Sequence, residues 1–232
     1  MKKRLGIGSP SKYEFECPIC ESQTDAFLPF GVRPRPNRQC PVCKSLERHR
    51  LVWLYFREMT NLFKDNLKML HIAPEPQISK VLNGRPNLDY ISADISPGRA
   101  HVQMDITDIK YPDNSFDVIY ASHVLEHIPD DRKAIGELYR VLKPNGWAIL
   151  LVPILGERTI EIPNLTTPEE REMYYGQHDH FRKYGWDGVY KERLEGAGFV
   201  VKVDQYAKML DPGDIKRYGL LEREDIYYCE KE

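Results

Sequence analysis

Residues 113–152 read DNSFDVIYASHVLEHIPDDRKAIGELYRVLKPNGWAILLV and decide the fold. The run 116–121 is short, apolar and rich in β-branched and aromatic residues, which is typical of a buried parallel strand. The acidic segment 129–131 predicts a helix start, and apolar residues then recur at helical spacing to Leu142. The run KPNG (143–146) predicts a turn that ends the helix. Residues 147–152 return as a second apolar strand. The stretch therefore predicts a βαβ unit.

The same stretch resembles the second half of a class I S-adenosylmethionine (SAM)-dependent methyltransferase domain, of the methyltransferase type 11 kind. The resemblance lies in SFDVIYASHVLEHIPD (115–130) and ELYRVLKPNGWAIL (137–150), which stand at the spacing of that family. It implies an α/β fold with a doubly wound, Rossmann-like sheet and methyl transfer from SAM. It also implies that Ser122 and His123 lie beside the methionine and sulfonium end of the cofactor.

Length and composition suit one α/β domain with a small appended module. Of the 232 residues, 41% are hydrophobic and 29% are charged, which are globular values. No apolar run is long enough to span a membrane, and the first residues lack the apolar core of a signal peptide. We expect a cytoplasmic protein without membrane insertion, with a zinc ribbon over 1–45 and a methyltransferase domain over 46–232. The oligomeric state is not predicted.

Four of the five cysteines form two CxxC pairs, 17–20 and 40–43. Two such pairs can direct four thiolates at one ion, and the spacing predicts a structural zinc site with four ligands: Cys17, Cys20, Cys40 and Cys43. Disulfides would need an oxidising compartment, and a thioredoxin-like motif needs only one CxxC. Four thiolates leave no position for water, so the expected zinc is not catalytic.

The N-terminal module is basic. Residues 1–50 contain ten Lys/Arg against five Asp/Glu, while the whole chain has a formal charge of −2. Such a surface can contact the phosphates of RNA, but the same charges can also serve solubility alone. Both interpretations stay open at this point.

The loop after the predicted first strand, residues 68–73, departs from the family pattern. It reads HIAPEP (71–76) where the family has a glycine-rich loop. The resemblance implies that His71, Ala73 and Glu75 contact the cofactor, with Ala73 in place of a glycine. Prolines make the loop rigid. The alternatives are a SAM site with an unusual rigid loop and a site that has lost SAM.

Two further strand ends supply acids. Residues 88–94 predict a strand ending in Asp94, and an acid there can accept hydrogen bonds from ribose hydroxyls. Ile95 follows it and is a further predicted cofactor contact. Residues 102–106 resemble the third-strand region of the family, which implies that Asp105 binds the adenine amino group and that Ile106 lines the ring.

Residues 153–190 are predicted to be an insertion on the acceptor side. The segment GQHDHFR (176–182) offers His178 or His180 as a general base, with Asp179 to orient it and Arg182 to anchor an anionic substrate. His123 is the third catalytic candidate. The alternative is a polar loop whose histidines cap secondary structure. The nearby tyrosines and Trp186 suit either a substrate pocket or the core of a lid.

The expected function is SAM-dependent methyl transfer, with O-methylation of a small molecule or glycan favoured because histidines suit deprotonation of a hydroxyl. One alternative is an RNA methyltransferase that uses the basic ribbon. Another is a non-catalytic ribbon adaptor in which the HIAPEP loop has abolished SAM binding.

Overall fold

The computed structural model describes residues 13–31 and 34–232, so several basic residues of the N-terminal module lie outside the described residues. The β-strands and α-helices are, in chain order, β1 Phe15–Glu16, β2 Gln23–Thr24, β3 Leu28–Phe30, β4 Arg35–Gln39, α1 Glu47–Met59, β5 Leu67–Ile72, α2 Pro76–Leu82, β6 Leu88–Asp94, β7 Val102–Gln103, β8 Phe116–Ser122, α3 Asp131–Val141, β9 Leu142–Leu151, α4 Pro168–Tyr175, α5 Val189–Gly196, β10 Val200–Asp204, α6 Tyr206–Met209, α7 Pro212–Arg217 and β11 Ile226–Glu230. A 3₁₀ turn, Leu125–His127, lies between β8 and α3.

A seven-stranded sheet organises the fold, in the order β10-β11-β9-β8-β5-β6-β7. The pairs from β9 through β8, β5 and β6 to β7 are parallel, whereas β11 runs antiparallel to β9. The strand order reverses between β5 and β8, which is the switch point where open α/β sheets bind ligands. The predicted doubly wound, Rossmann-like fold is confirmed.

The predicted βαβ unit is present as β8, α3 and β9. Every residue of β8 except Asp117 is buried, as expected for a strand covered on both faces. Asp130 caps α3, because its side chain accepts a hydrogen bond of 3.0 Å from the backbone N–H of Lys133. The expected turn at 143–146 lies within β9 instead, since Phe116 pairs with Leu142 before a break in the register.

The chain divides into two compact units. One comprises the described part of Met1–Asn66 with Glu75–Asn87 and Asp204–Ile226, and the other comprises Leu67–Pro74, Leu88–Val203 and Tyr227–Glu232. The domain boundary predicted between residues 45 and 46 stays a prediction.

In the first unit, the fully buried Arg50 joins three segments. Its Nε donates to the carbonyl of Tyr218 at 2.6 Å, Nη1 to that of Ser45 at 2.8 Å, and Nη2 to that of Gly219 at 3.0 Å. The guanidinium also lies 4.2 Å from the centre of the Phe27 ring. A buried cation is tolerated where its donors are satisfied in this way.

Among the described residues, none of the helices has the length and apolar composition required to cross a lipid bilayer.

Substitution of Gly146 by alanine is expected to lower the free energy of unfolding by about 1–3 kcal/mol. The added Cβ would lie 2.8 Å from the carbonyl oxygen of Lys143 and 2.9 Å from that of Asp117. Gly136, in the middle of α3, has open space around its missing side chain, and alanine there should stabilise by ~0.5–1 kcal/mol. Urea denaturation of both variants tests this, and equal midpoints would contradict it.

Glu224, in the first unit, is held in an environment that disfavours its charge. Its Oε2 is buried and has no hydrogen-bond partner among the described residues. Burial raises the pKa of Glu224 to about 7, and the nearby Glu47 adds to the shift. A carboxyl group with a raised pKa stabilises the fold while it is protonated. That contribution is complete below the unfolded-state pKa and is lost as the pH rises through about 7.

Glu224→Gln should therefore flatten the decline in stability between pH ~4.5 and ~7.5. The neutral amide cannot ionise, so the variant should gain stability relative to the wild type as the pH rises. Denaturant midpoints measured at half-unit pH steps provide the comparison. Parallel pH profiles for the two proteins would show that Glu224 does not titrate in this range.

Candidate active site and metal centre

A cavity of about 780 Å³ opens at the carboxyl ends of the parallel strands. Ile72 ends β5, Asp94 ends β6 and His123 follows β8, and all three line it. The volume lies within the range of cofactor sites. The second unit alone supplies the cavity walls.

Two non-glycine residues of the cavity wall have left-handed backbone geometry. Ala73, directly after β5, has φ 46°, and His123, directly after β8, has φ 57°. Each conformation costs ~1–2 kcal/mol for an L-residue. The Ala73 N–H donates to the carbonyl of Ala93 at 2.8 Å, and the His123 N–H to that of Leu151 at 2.8 Å. Ala73 therefore adopts a geometry normally supplied by glycine, and such strain concentrates at functional sites.

The acids predicted to hold the cofactor lie in one cavity. Asp94 accepts a hydrogen bond from the backbone N–H of Ser96 at 2.7 Å. Asp105 accepts two bonds of 2.8 Å from Thr107, one from its backbone and one from its hydroxyl. These bonds lower the pKa of Asp105, so its carboxylate is ionised at neutral pH. Ile95 and Ile106 also line the cavity.

The other predicted cofactor contacts lie elsewhere. His71 is buried in β5, with Nδ1 2.8 Å from the Tyr90 hydroxyl, and is not among the cavity residues. Ser122 is buried at the end of β8, also outside the cavity lining. Glu75 belongs to the first unit, where its carboxylate lies 3.8 Å from His49 Nε2. Cofactor contacts by these three residues stay predictions.

The three histidines predicted to be catalytic occupy different environments. His123 lines the cavity, and its Nδ1 lies 3.6 Å from Glu126 Oε1. His180 is buried, and its ring meets that of His127 edge-on with centroids 4.6 Å apart. Burial lowers the pKa of His180 to about 4, with a contribution from His127, so its imidazole is neutral at pH 7. His178 is exposed and outside the cavity lining.

Arg182 was expected to anchor an anionic substrate, and that interpretation is wrong. Its guanidinium is 1% exposed and donates to the carbonyls of Leu125 at 2.9 Å, Ile128 at 2.5 Å and Pro129 at 2.6 Å. It also donates to Glu161 at 2.8 Å. These partners occupy the side chain, which therefore fixes the backbone before α3.

The aromatic residues of the predicted insertion favour the lid-core alternative. Tyr175, Tyr184 and Tyr190 are buried, and Tyr190 donates to the carbonyl of Leu150 at 3.0 Å. Trp186 is 51% exposed. None of these aromatic residues lines the cavity described above.

Sequence reasoning missed two cations of the cavity wall, Arg99 and Lys133. Lys133 contributes to the lowered pKa of Asp105. Of the two, only Lys133 could have been predicted from the sequence. It lies in the first turn of α3, and the first turn of a helix that begins beside the switch point faces the ligand.

The four paired cysteines converge in the first unit. Their Sγ atoms all lie within 4.8 Å of one another, with Cys17 and Cys43 3.6 Å apart and Cys20 and Cys40 3.8 Å apart. Among the described residues every cysteine is free of disulfide bonds.

Each pair forms the same turn. The sequences CPICES (17–22) and CPVCKS (40–45) share Pro and Ser positions, and in each the first cysteine N–H donates to the carbonyl of the final serine at 2.9 Å. The residue after each second cysteine, Glu21 or Lys44, has positive φ. Ser45 Oγ lies 3.3 Å from Cys17 Sγ and 3.2 Å from Cys43 Sγ.

The donor set fits zinc. An ion about 2.3 Å from four tetrahedral thiolates sets the sulfurs roughly 3.8 Å apart, close to the separations found here. The serine hydroxyls can donate to the thiolates from outside the coordination shell, which is how ligands are commonly oriented.

Comparison with known proteins agrees with this geometry. Residues 70–150 match the family model described as a methyltransferase domain. A sterol 24-C-methyltransferase from Eremothecium gossypii is 32% identical over 108 residues, which are 46% of this chain and 28% of that protein. A ubiquinone/menaquinone biosynthesis C-methyltransferase from Pseudoalteromonas translucida is 41% identical over 86 residues, 37% of this chain and 29% of that protein.

Solved structures share the fold. A SAM-dependent methyltransferase from Mesorhizobium loti superposes with a TM-score of 0.52 and 16% identity, covering 77% of this chain and 96% of that one. The YcgJ protein from Bacillus subtilis superposes with a TM-score of 0.50 and 19% identity, and the alignment covers 72% of this chain and 78% of that one.

The fold, the cavity and the match agree: residues 70–150 are similar to the methyltransferase domain family, and the sheet has the fold of solved SAM-dependent methyltransferases. The resemblance drawn from residues 113–152 is confirmed. The matched stretch spans less than a third of the two curated relatives.

The cysteine cluster predicts one zinc ion per chain. Cys20→Ser should abolish stoichiometric zinc and lower the melting temperature, because three thiolates cannot close the tetrahedral shell. Cys229→Ala, a change in the buried cysteine of β11, should keep the zinc. Metal analysis after gel filtration supplies the readout. Zinc retained in full by Cys20→Ser would remove this residue from the site.

Proposed function

We propose that this protein transfers a methyl group from SAM to a small-molecule acceptor. The main support for the proposal is that one cavity at the switch point of the sheet is lined by Asp94, Asp105 and His123. Carboxylates at the ends of neighbouring strands can accept hydrogen bonds from the ribose hydroxyls and the adenine amino group of a nucleoside. A polar side chain after β8 would lie beside the sulfonium end of the cofactor, where the methyl group is transferred.

Within the proposed complex, each wall residue has a separate task. Asp94 accepts hydrogen bonds from the ribose hydroxyls, and Asp105 accepts one from the adenine amino group. Ile95 and Ile106 give apolar contact to the purine ring. The left-handed turn at Ala73 brings backbone, with no long side chain, to the ligand.

The protein contributes mainly position to the reaction. When bound, SAM would supply a methyl group on a positively charged sulfur: the acceptor nucleophile bonds to the methyl carbon in line, and the carbon–sulfur bond breaks with its electron pair leaving on the sulfur of S-adenosylhomocysteine. The wall residues align the two partners, which removes most of the entropic cost of their encounter. In this proposal His123 accepts the proton of an acceptor hydroxyl; its position in the cavity wall, with Nδ1 3.6 Å from Glu126 Oε1, supports that role.

An oxygen acceptor on a small molecule or glycan is the favoured acceptor within this proposal, since a histidine at the site suits deprotonation. The names of the two curated relatives, a sterol and a quinone-pathway methyltransferase, support a small-molecule acceptor. The RNA and adaptor alternatives are not favoured. The RNA alternative rests on basic residues that can also serve solubility alone, and the adaptor alternative rests on the loss of SAM binding by a loop whose geometry suits a ligand.

The zinc ribbon has a structural role in this proposal. Its four thiolates would complete the shell of a zinc ion, which would leave no position for a substrate. The hairpins β1–β2 and β3–β4 are too short to be stable alone, so metal binding would contribute much of their folding free energy.

SAM binding tests the proposal through Asp94. Asp94→Asn should weaken SAM binding about 10- to 100-fold, the usual effect of losing charge-assisted hydrogen bonds. Asp89→Asn is the matched control, because Asp89 is on the same strand with a side chain that is 64% exposed. Titration calorimetry with SAM gives both affinities.

Wild-type protein that produces no binding heat at several temperatures would contradict the proposal and favour the adaptor. Equal losses in the two variants would show that Asp94 has no specific role.

A further inference from the structure

Behind one wall of the cavity, a carboxylate and two imidazoles converge. The ligand-type atoms of Glu126, His127 and His180 all lie within 4.8 Å of one another. His127 Nε2 lies 3.8 Å from Glu126 Oε1, and His127 Nδ1 lies 3.2 Å from Asp179 Oδ2. Glu126 is 1% exposed and His180 is 3% exposed. The methyl-transfer chemistry proposed above uses one member of this group, Glu126, as the neighbour of His123 Nδ1, and does not use His127 or His180.

The cluster joins two segments that are far apart in the sequence. Glu126 and His127 belong to the 3₁₀ turn after β8, and His180 belongs to the predicted insertion. The Phe181 N–H donates to the Glu126 carbonyl at 2.8 Å, which places the neighbouring His180 side chain against the turn. This backbone bond therefore sets the position of the third donor relative to the first two.

Arg182 strengthens the same arrangement. Its three bonds to the carbonyls of Leu125, Ile128 and Pro129 bracket the segment that carries Glu126 and His127. The donors are thus held in place by backbone contacts of neighbouring residues, which is the support that metal sites require.

The chemistry of the group selects a class of ligand. Two imidazoles and one carboxylate are donors for divalent first-row transition ions such as Mn²⁺, Fe²⁺ and Zn²⁺, and three protein ligands leave positions open. His127 and Asp179 line the cavity, whereas Glu126 and His180 do not. Open positions would therefore face the cavity.

We propose that Glu126, His127 and His180 bind a divalent transition-metal ion in the cavity wall, with Asp179 as partner of His127. The ion takes a hydroxyl or carboxylate oxygen of the acceptor in an open position. This second statement rests on the proposed function, whereas the binding of the ion does not. A coordinated oxygen would be fixed near His123, and coordination lowers the pKa of a hydroxyl.

Manganese binding to the zinc-loaded chain of 232 residues provides the test. The four-cysteine site should not interfere, because thiolates select zinc over Mn²⁺. Loss of the free Mn²⁺ signal in electron paramagnetic resonance should show one bound ion per chain. After equilibration with excess Zn²⁺, total zinc should be two ions per chain, one in the four-cysteine site and one in the proposed site.

Glu126→Gln and His127→Ala should each weaken Mn²⁺ binding more than tenfold, since loss of even an outer-shell partner costs 10- to 100-fold. His127 is 32% exposed, so its removal tests the site without opening the core. His178→Ala is the matched control: it changes an exposed histidine of the same segment outside the donor set and should bind Mn²⁺ normally.

Absence of both Mn²⁺ binding and a second zinc ion in the wild type would overturn the site. So would equal affinities in the wild type and in both Glu126→Gln and His127→Ala, in which case the cluster is an internal ion-pair network. SAM affinity is measured on the same zinc-loaded protein before Mn²⁺ is added. A protein that binds SAM and no ion refutes the metal site alone, and one that binds the ion and no SAM refutes methyl transfer alone.

Discussion

Parallel pairing of β5 with β6 on one side and β8 on the other is the constraint on which the site depends. The register pairs Ile72 with Ala93 and with Ala121, so the three strands end at the same level. The residues that follow, Ala73, Asp94 and His123, thereby reach one cavity although they are far apart in the sequence. The pairing is secured by strands whose inner residues are almost all buried.

Much of this arrangement could be predicted because it depends on local patterns. The apolar runs gave β6 with its observed bounds, and the helix start at Asp130 follows from capping chemistry. Less could be predicted where a strand depends on its neighbour. Residues 143–146 have the composition of a turn, yet they continue β9, and only Val102–Gln103 of the third-strand region pairs with β6.

The candidate site divides in the same way. Asp94 and Asp105 could be placed because an acid at a strand end has a position that the sheet dictates. The positions of His178, His180 and Arg182 could not be predicted, because the sequence of a polar segment does not indicate which of its side chains are buried. The fold exposes the first and buries the other two, and the contacts that decide this come from residues 125–129. A polar segment can thus form buried contacts that connect two parts of the fold, and composition alone does not predict them.

The loop that replaces the family's glycines has a thermodynamic consequence. Ala73 is locked in a left-handed turn, Pro74 follows it, and Pro76 opens α2. A glycine loop would lose backbone entropy when a nucleoside settles on it, whereas this loop loses that entropy when the chain folds. Association with SAM should therefore involve little ordering of the loop, and its affinity should depend more on contacts than on induced fit. The loop is thus preorganised for ligand binding by its own backbone geometry.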